Sequence, residues 1–218
     1  MNTIKHHPDV STLMSCAAGS QPEAMAAVVA SHLASCPECA KRVSRLELIG
    51  EALFHSMEPA PLGRAAPVAA ARALEAEGRN VAQVSSGTPA GDVPLPLTGL
   101  IGQHLDNVAW KRLGHGLWHY PLPLSGHTKG DLRLIKAAPG QKLPDHGHGG
   151  QEMTLVLRGS YTDATGRYNT GDVADLDEGV EHAPVADSTE GCICLIASER
   201  PARFKSLLAR MMQPLAGL

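Results

Sequence analysis

Aromatic side chains are scarce: two Trp, three Tyr and two Phe make up 3% of the sequence. Few rings are therefore available to line a pocket for an organic substrate, and no separate nucleophile or acid/base pair stands out, which weighs against catalysis. An excess of positive charge is missing too. With 19 Lys and Arg against 22 Asp and Glu, the formal net charge is -3. The chain lacks the basic field that a phosphate backbone demands, so direct contact with nucleic acid is not expected. No apolar run reaches the length of a bilayer span, and the polar opening MNTIKHHPDV lacks the apolar core of a signal peptide. A cytoplasmic protein with a protein or small-molecule partner is expected.

Histidine, by contrast, is plentiful, with 11 residues, and five cysteines are present. An odd cysteine count, with two of them spaced as Cys36-Pro37-Glu38-Cys39, fits metal ligation better than a disulfide framework in a reducing compartment.

The chain divides by pattern. Its first part, to about residue 57, predicts three helices. Asp9 is placed to cap the first and Gly19 to end it; the second starts near Pro22 and the third at Pro37. From Glu58 to about Leu97 the composition turns to Ala, Pro, Gly and Ser, as in a linker, with a short Ala-rich helix possible over 67–77. Beyond Thr98 come short β-type runs punctuated by glycine: Leu117 to Leu122, Leu132 to Ala137, Met153 to Leu157, Val173 to Leu176 and Cys192 to Ala197. That spacing predicts an antiparallel sandwich or small barrel. The tail from Phe204 to Met212 reads as a strand end and a short helix. The expected class is α+β in two domains, a small helical bundle over residues 1–85 with Ala/Pro-rich linker sequence at its end and an all-β domain over 95–212.

Two clusters carry metal chemistry. His146 and His148 are two apart, so an extended backbone projects both imidazoles to one face, and Gly147 between them offers no obstruction. Gly149 and Gly150 let the chain turn before Glu152 brings a carboxylate back, and His182 supplies a fourth donor from a later strand. Such mixed ligation suits Zn, Fe(II), Mn, Ni or Cu. Asp145 could orient a neighbouring imidazole. In the first region, Pro37 favours the first helical position, which makes Cys36 the N-cap and sets Cys39 in the first turn, where free N–H groups favour thiolates. His32 lies near the end of the preceding helix. Tetrahedral Zn needs a fourth donor, for which His7 is the candidate and His6 the runner-up. Cys192 and Cys194 share a strand face with Cα atoms roughly 6.5 to 7 Å apart, too far for an unstrained disulfide; they read as barrel core, or as a redox-responsive pair near the metal.

The run Gly140, five residues, His146, one residue, His148, three residues, Glu152, six residues, Gly159 resembles the first cupin motif. Gly171, five residues, Asp177, one residue, Gly179, two residues, His182 resembles the second, with Asp177 where that family usually has proline and Ala186 where it often has asparagine. The resemblance implies a jelly-roll barrel with a metal inside, zinc or another divalent ion, and pairing of two barrels into a homodimer. The set His7, twenty-four residues, His32, three residues, Cys36, two residues, Cys39 resembles the zinc-binding anti-sigma factors. A zinc anti-sigma domain followed by one cupin is similar to the ChrR family of anti-sigma factors. That resemblance implies Zn at the first cluster, an extracytoplasmic-function (ECF) sigma factor as partner, no enzymatic role, and release on oxidative stress by singlet oxygen or organic peroxide. The rival expectation is a cupin dioxygenase or isomerase tethered by its helices.

Overall fold

The computed structural model describes residues 3–60, 91–125, 130–147, 149–200 and 203–204. The possible helix over 67–77 and most of the tail reading lie outside these residues.

The three helices form where the sequence places them. Helix α1, Val10–Ala17, follows Asp9 in extended conformation, and Gly19 at φ 64 turns the chain out of it. Asp9 occupies the N-cap without a side-chain cap bond. Helix α2, Glu23–Leu33, starts after Pro22, and α3, Pro37–Ser56, starts at Pro37 with the Cys36 sulfur accepting the Cys39 N–H at 3.5 Å. A fourth helix, α4, Leu95–Ile101, lies in the stretch that reads as linker and β-type sequence. Pro94 and Pro96 disguise it in sequence. The helix is held by burial of Leu97 and Ile101, four residues apart, against a shared core.

The β region is built of β1 (Lys111–Gly114), β2 (Leu117–Pro121), β3 (Asp131–Ala137), β4 (His146–Gly147), β5 (Glu152–Asp163), β6 (Gly166–Asn169), β7 (Val173–Leu176), β8 (Glu181–His182), β9 (Val185–Ala186), β10 (Cys192–Ser198) and β11 (Arg203–Phe204). All pairings are antiparallel. One sheet runs β1-β2-β3-β10-β5-β6, with β7 and β9 also on β5, and a small sheet orders β11-β4-β8. The long β5 serves both layers, pairing β10 and β7 with its first half and β6 and β9 with its last residues. Gly159 at φ 75 sits at that change of partner; a Cβ there would stand 2.2 Å from the Gly191 carbonyl oxygen, so only glycine fits.

Strand alternation sorts the side chains into two cores. Ile193, Leu195 and Ala197 of β10, Met153, Leu155 and Leu157 of β5, and Leu132 and Leu134 of β3 point out of the barrel. They meet Met25, Val28 and Val29 of α2, which are fully buried. Burial of each such side chain stabilises by about 1.5–3 kcal/mol, so the helices are fastened to the barrel by one continuous core. The alternate residues, Cys192, Cys194, Val156 and Ala137 with Tyr161 and Tyr168, fill the barrel interior. Among the described residues no helix is long and apolar enough to cross a membrane.

Candidate metal centres

Four donors converge in the helical region. His7, His32, Cys36 and Cys39 each offer a ligand atom, all within 4.8 Å of one another. His7 Nδ1 lies 3.5 Å from the Cys36 sulfur and 3.3 Å from the Cys39 sulfur. His6, the runner-up, faces elsewhere, its ring 4.5 Å from that of Tyr168. The His32 imidazole is wholly buried and donates through Nδ1 to the Gly171 carbonyl of the barrel at 3.0 Å. A carbonyl only accepts, so the proton is on Nδ1 and the lone pair of a neutral ring is on Nε2. Burial, first of all, pulls the His32 pKa down and keeps the ring neutral. Its Nε2 has no hydrogen-bond partner among the described residues. A buried lone pair beside two thiols and a second imidazole is a Cys2His2 donor set that fits tetrahedral Zn.

The helix N-terminus favours a thiolate at Cys39, yet burial and then the neighbouring Cys36 push its pKa up to about 12. Desolvation and the paired sulfur disfavour ionisation, and a bound cation is what would hold both sulfurs ionised.

The barrel gathers a second cluster. His146, Glu152 and His182, all buried, offer atoms within 4.8 Å of one another. His148 lies outside the described residues. His146 and His182 face each other across the β4–β8 pair, ring centroids 4.7 Å apart, and His182 Nε2 stands 3.9 Å from Glu152 Oε1. Each imidazole is turned by its other nitrogen: His146 Nδ1 by the Pro144 carbonyl at 2.9 Å, and His182 Nδ1 by Asp163 Oδ2 at 2.7 Å. Asp163 is the residue that sequence reading missed. Burial alone would raise its pKa, but the hydrogen bonds from His182 and from Thr165 hold it at about 2, so an ionised carboxylate braces the imidazole. Asp145, the sequence candidate for that role, is not the group at His182 Nδ1. Two buried imidazoles, each oriented through Nδ1, beside a buried carboxylate fit a divalent transition metal. Replacing Asp163 with Asn should lower metal affinity at the barrel centre by roughly 10–100-fold; competition with a chromogenic chelator checks it, and unchanged affinity would deny Asp163 this part.

The cavity beside these ligands measures about 50 Å³ and is lined by Ile135, Leu143, Thr154, Tyr161, Cys192 and Cys194 among others. Sites for organic ligands run to about 300–1,000 Å³, so this one admits only a very small molecule. Cys192 and Cys194 are free thiols with sulfurs 3.3 Å apart, on the wall of that cavity.

A model of the ChrR cupin-like domain matches residues 99–201. The anti-sigma-E factor ChrR of Cereibacter sphaeroides is 37% identical over 212 residues, 97% of this chain and 98% of that protein. A chain of the crystal structure of Rhodobacter sphaeroides SigE in complex with the anti-sigma ChrR superposes with a TM-score of 0.73 at 36% identity, covering 90% of this chain and 99% of that one.

Proposed function

Because the chain belongs to the ChrR family of anti-sigma factors, we propose that its helical region, residues 1–85, grips an ECF sigma factor and that its barrel, residues 95–212, governs release. The protein is then a regulator and not an enzyme. The observation that carries this is the C-terminal half of α3. Cys39 and Val43 bury the first half of the helix, whereas Ile49, Leu53, Phe54 and Met57 form an apolar stripe that is exposed among the described residues, Phe54 by 73%. Val10 and Met14 of α1, which packs on α3, are exposed as well. A helix that ends in an uncovered apolar face is built to lie in the groove of a partner. An interface of about 1,600 Å² suffices to mask a polymerase-binding surface.

In this account His7, His32, Cys36 and Cys39 hold Zn, which fixes the start of α3 where a small helical unit has little core to do so. His146, Glu152 and His182, with His148 from the sequence motif, hold zinc or another divalent ion in the barrel. The signal is oxidative, singlet oxygen or an organic peroxide: thiolate and imidazole donors are oxidisable, and the cavity passes only small molecules. The place of action is the cytoplasm, where a sigma factor meets polymerase. Co-expression with its cognate ECF sigma factor should give a stable complex carrying two metal ions. Failure to co-purify with that factor would refute the proposal.

A further inference from the structure

The donor-bearing segment of the helical centre is strapped to the barrel at two points on either side of His7. At the first, the fully buried Asp172 takes the N–H groups of Lys5 and His6 on Oδ1 at 2.6 and 3.0 Å, with its Oδ2 on the Asn169 N–H at 2.8 Å. The His6 carbonyl accepts in turn from the Val173 N–H at 3.1 Å. Gly171 packs so closely on Ile4 that a Cβ would lie 2.8 Å from its side chain, and the Gly171 carbonyl is the group that sets the His32 tautomer. At the second, Asp175 of β7 takes the Asp9 N–H at 3.1 Å and the Thr12 hydroxyl at 2.6 Å on Oδ2, and Gln151 Nε2 at 2.7 Å on Oδ1. Gln151 Nε2 also reaches the Thr12 hydroxyl at 3.3 Å. It directly precedes Glu152, and β7 pairs with Glu152 itself through Leu176.

The geometry points to Gly171, Asp172 and Asp175 as positioning residues of the helical metal centre, donated by the barrel, with β7 and Gln151 the link between the two centres. The inference rests on the metal reading of His7, His32, Cys36 and Cys39. Of those four donors, the two thiols are placed by α3 itself. The two imidazoles are placed by the barrel, His32 by a carbonyl and His7 by the clasps to either side of it. A shift of β7 when the barrel centre changes would then move His7 and turn His32, loosening the helical metal without any contact between the sites. Linkage requires the reverse as well: metal at one centre strengthens binding at the other.

The test uses the full chain. Metal at each centre is measured by chelator competition with zinc, and the accessibility of Cys36 and Cys39 by the rate of thiol modification. Asp172→Ala should weaken zinc at the helical centre by about 10–100-fold and speed modification of both cysteines, with a much smaller loss at the barrel centre. Gln151→Ala, at the other clasp and less buried, should give a smaller loss of the same kind and guards against a variant that fails to fold. Glu152→Ala should speed zinc release from Cys36 and Cys39, and should do so less when combined with Gln151→Ala. Unchanged helical affinity in Asp172→Ala and Gln151→Ala, or equal loss at both centres, would overturn the inference while the metal reading stands. If the parent protein loses no zinc on Cys36→Ser with Cys39→Ser, the metal reading falls and the inference with it.

Discussion

Replacing Cys36 and Cys39 together with serine is expected to remove one of two bound metal ions and to weaken sigma-factor binding by more than about 100-fold. Structural zinc supplies about 10–16 kcal/mol of apparent binding free energy to small domains at neutral pH, and here it would join the N-terminal arm, α2 and the start of α3 at one point. Without it the four donors, three of them buried, have no common partner: His32 Nε2 lies in the interior with none among the described residues, and the Cys39 thiol, pushed up to about 12, stays protonated. A metal must displace that proton, so zinc affinity should fall as pH falls below the thiol pKa. Isothermal titration with the sigma factor, beside metal analysis of the same preparations, checks both parts. A double variant that lost its zinc yet bound with unchanged affinity would remove the helical centre from the interface.

The second large effect is expected at the exposed end of α3. Leu53→Glu combined with Phe54→Glu should also lower sigma affinity by more than about 100-fold, equivalent to about 3 kcal/mol, in keeping with apolar anchors at the centre of an interface. Because both side chains are exposed, 63% and 73%, the unbound protein should keep its melting temperature and its full metal content. That contrast separates the two variants: the cysteine pair acts by organising the helices, the stripe by touching the partner. Equal binding by the charged variant would place the interface elsewhere.

Local features made much of the molecule legible in the sequence. Asp9, Gly19, Pro22 and Pro37 mark helix ends because capping and φ restriction act within a few residues, and α1, α2 and α3 begin where these predict. The long strands follow from alternation; β7 runs over Val173–Leu176 as expected. The donor spacing likewise brought His7, His32, Cys36 and Cys39 together, and His146, Glu152 and His182. What escaped was what only the folded chain brings near. Asp172 meets Lys5 across 167 positions, Asp175 meets Thr12 across 163, and no pattern along the chain announces such a partner. Asp163 stands nineteen residues from His182 at the end of a strand and reads as a turn carboxylate until β5 is folded. Two-residue strands such as β4 and β8 carry no period of their own, and α4 exists because its Leu97 and Ile101 find a core. The helix start that sets Cys39 in the first turn was legible, but the burial that pushes its pKa up to about 12 was not, since the depth of a side chain is not written in its neighbours.

The helical region and the barrel were expected as separate units joined by a linker, and the packing of α2 on the outer face of β10 and β5 gives that division a mechanical meaning. The apolar stripe of α3 is exposed, while the metal donors sit against the shared core. On the proposed account, a signal received in the barrel needs to travel only through β7 to reach the helices that would hold the partner.

Run-off transcription measures the central claim most directly. Polymerase programmed with the ECF sigma factor should be silenced by a stoichiometric amount of this protein, with transcription by the housekeeping sigma factor unaffected. Activity should return when zinc is stripped from the complex by a chelator. Undiminished ECF-dependent transcription at several-fold excess of the zinc-loaded protein would contradict the account.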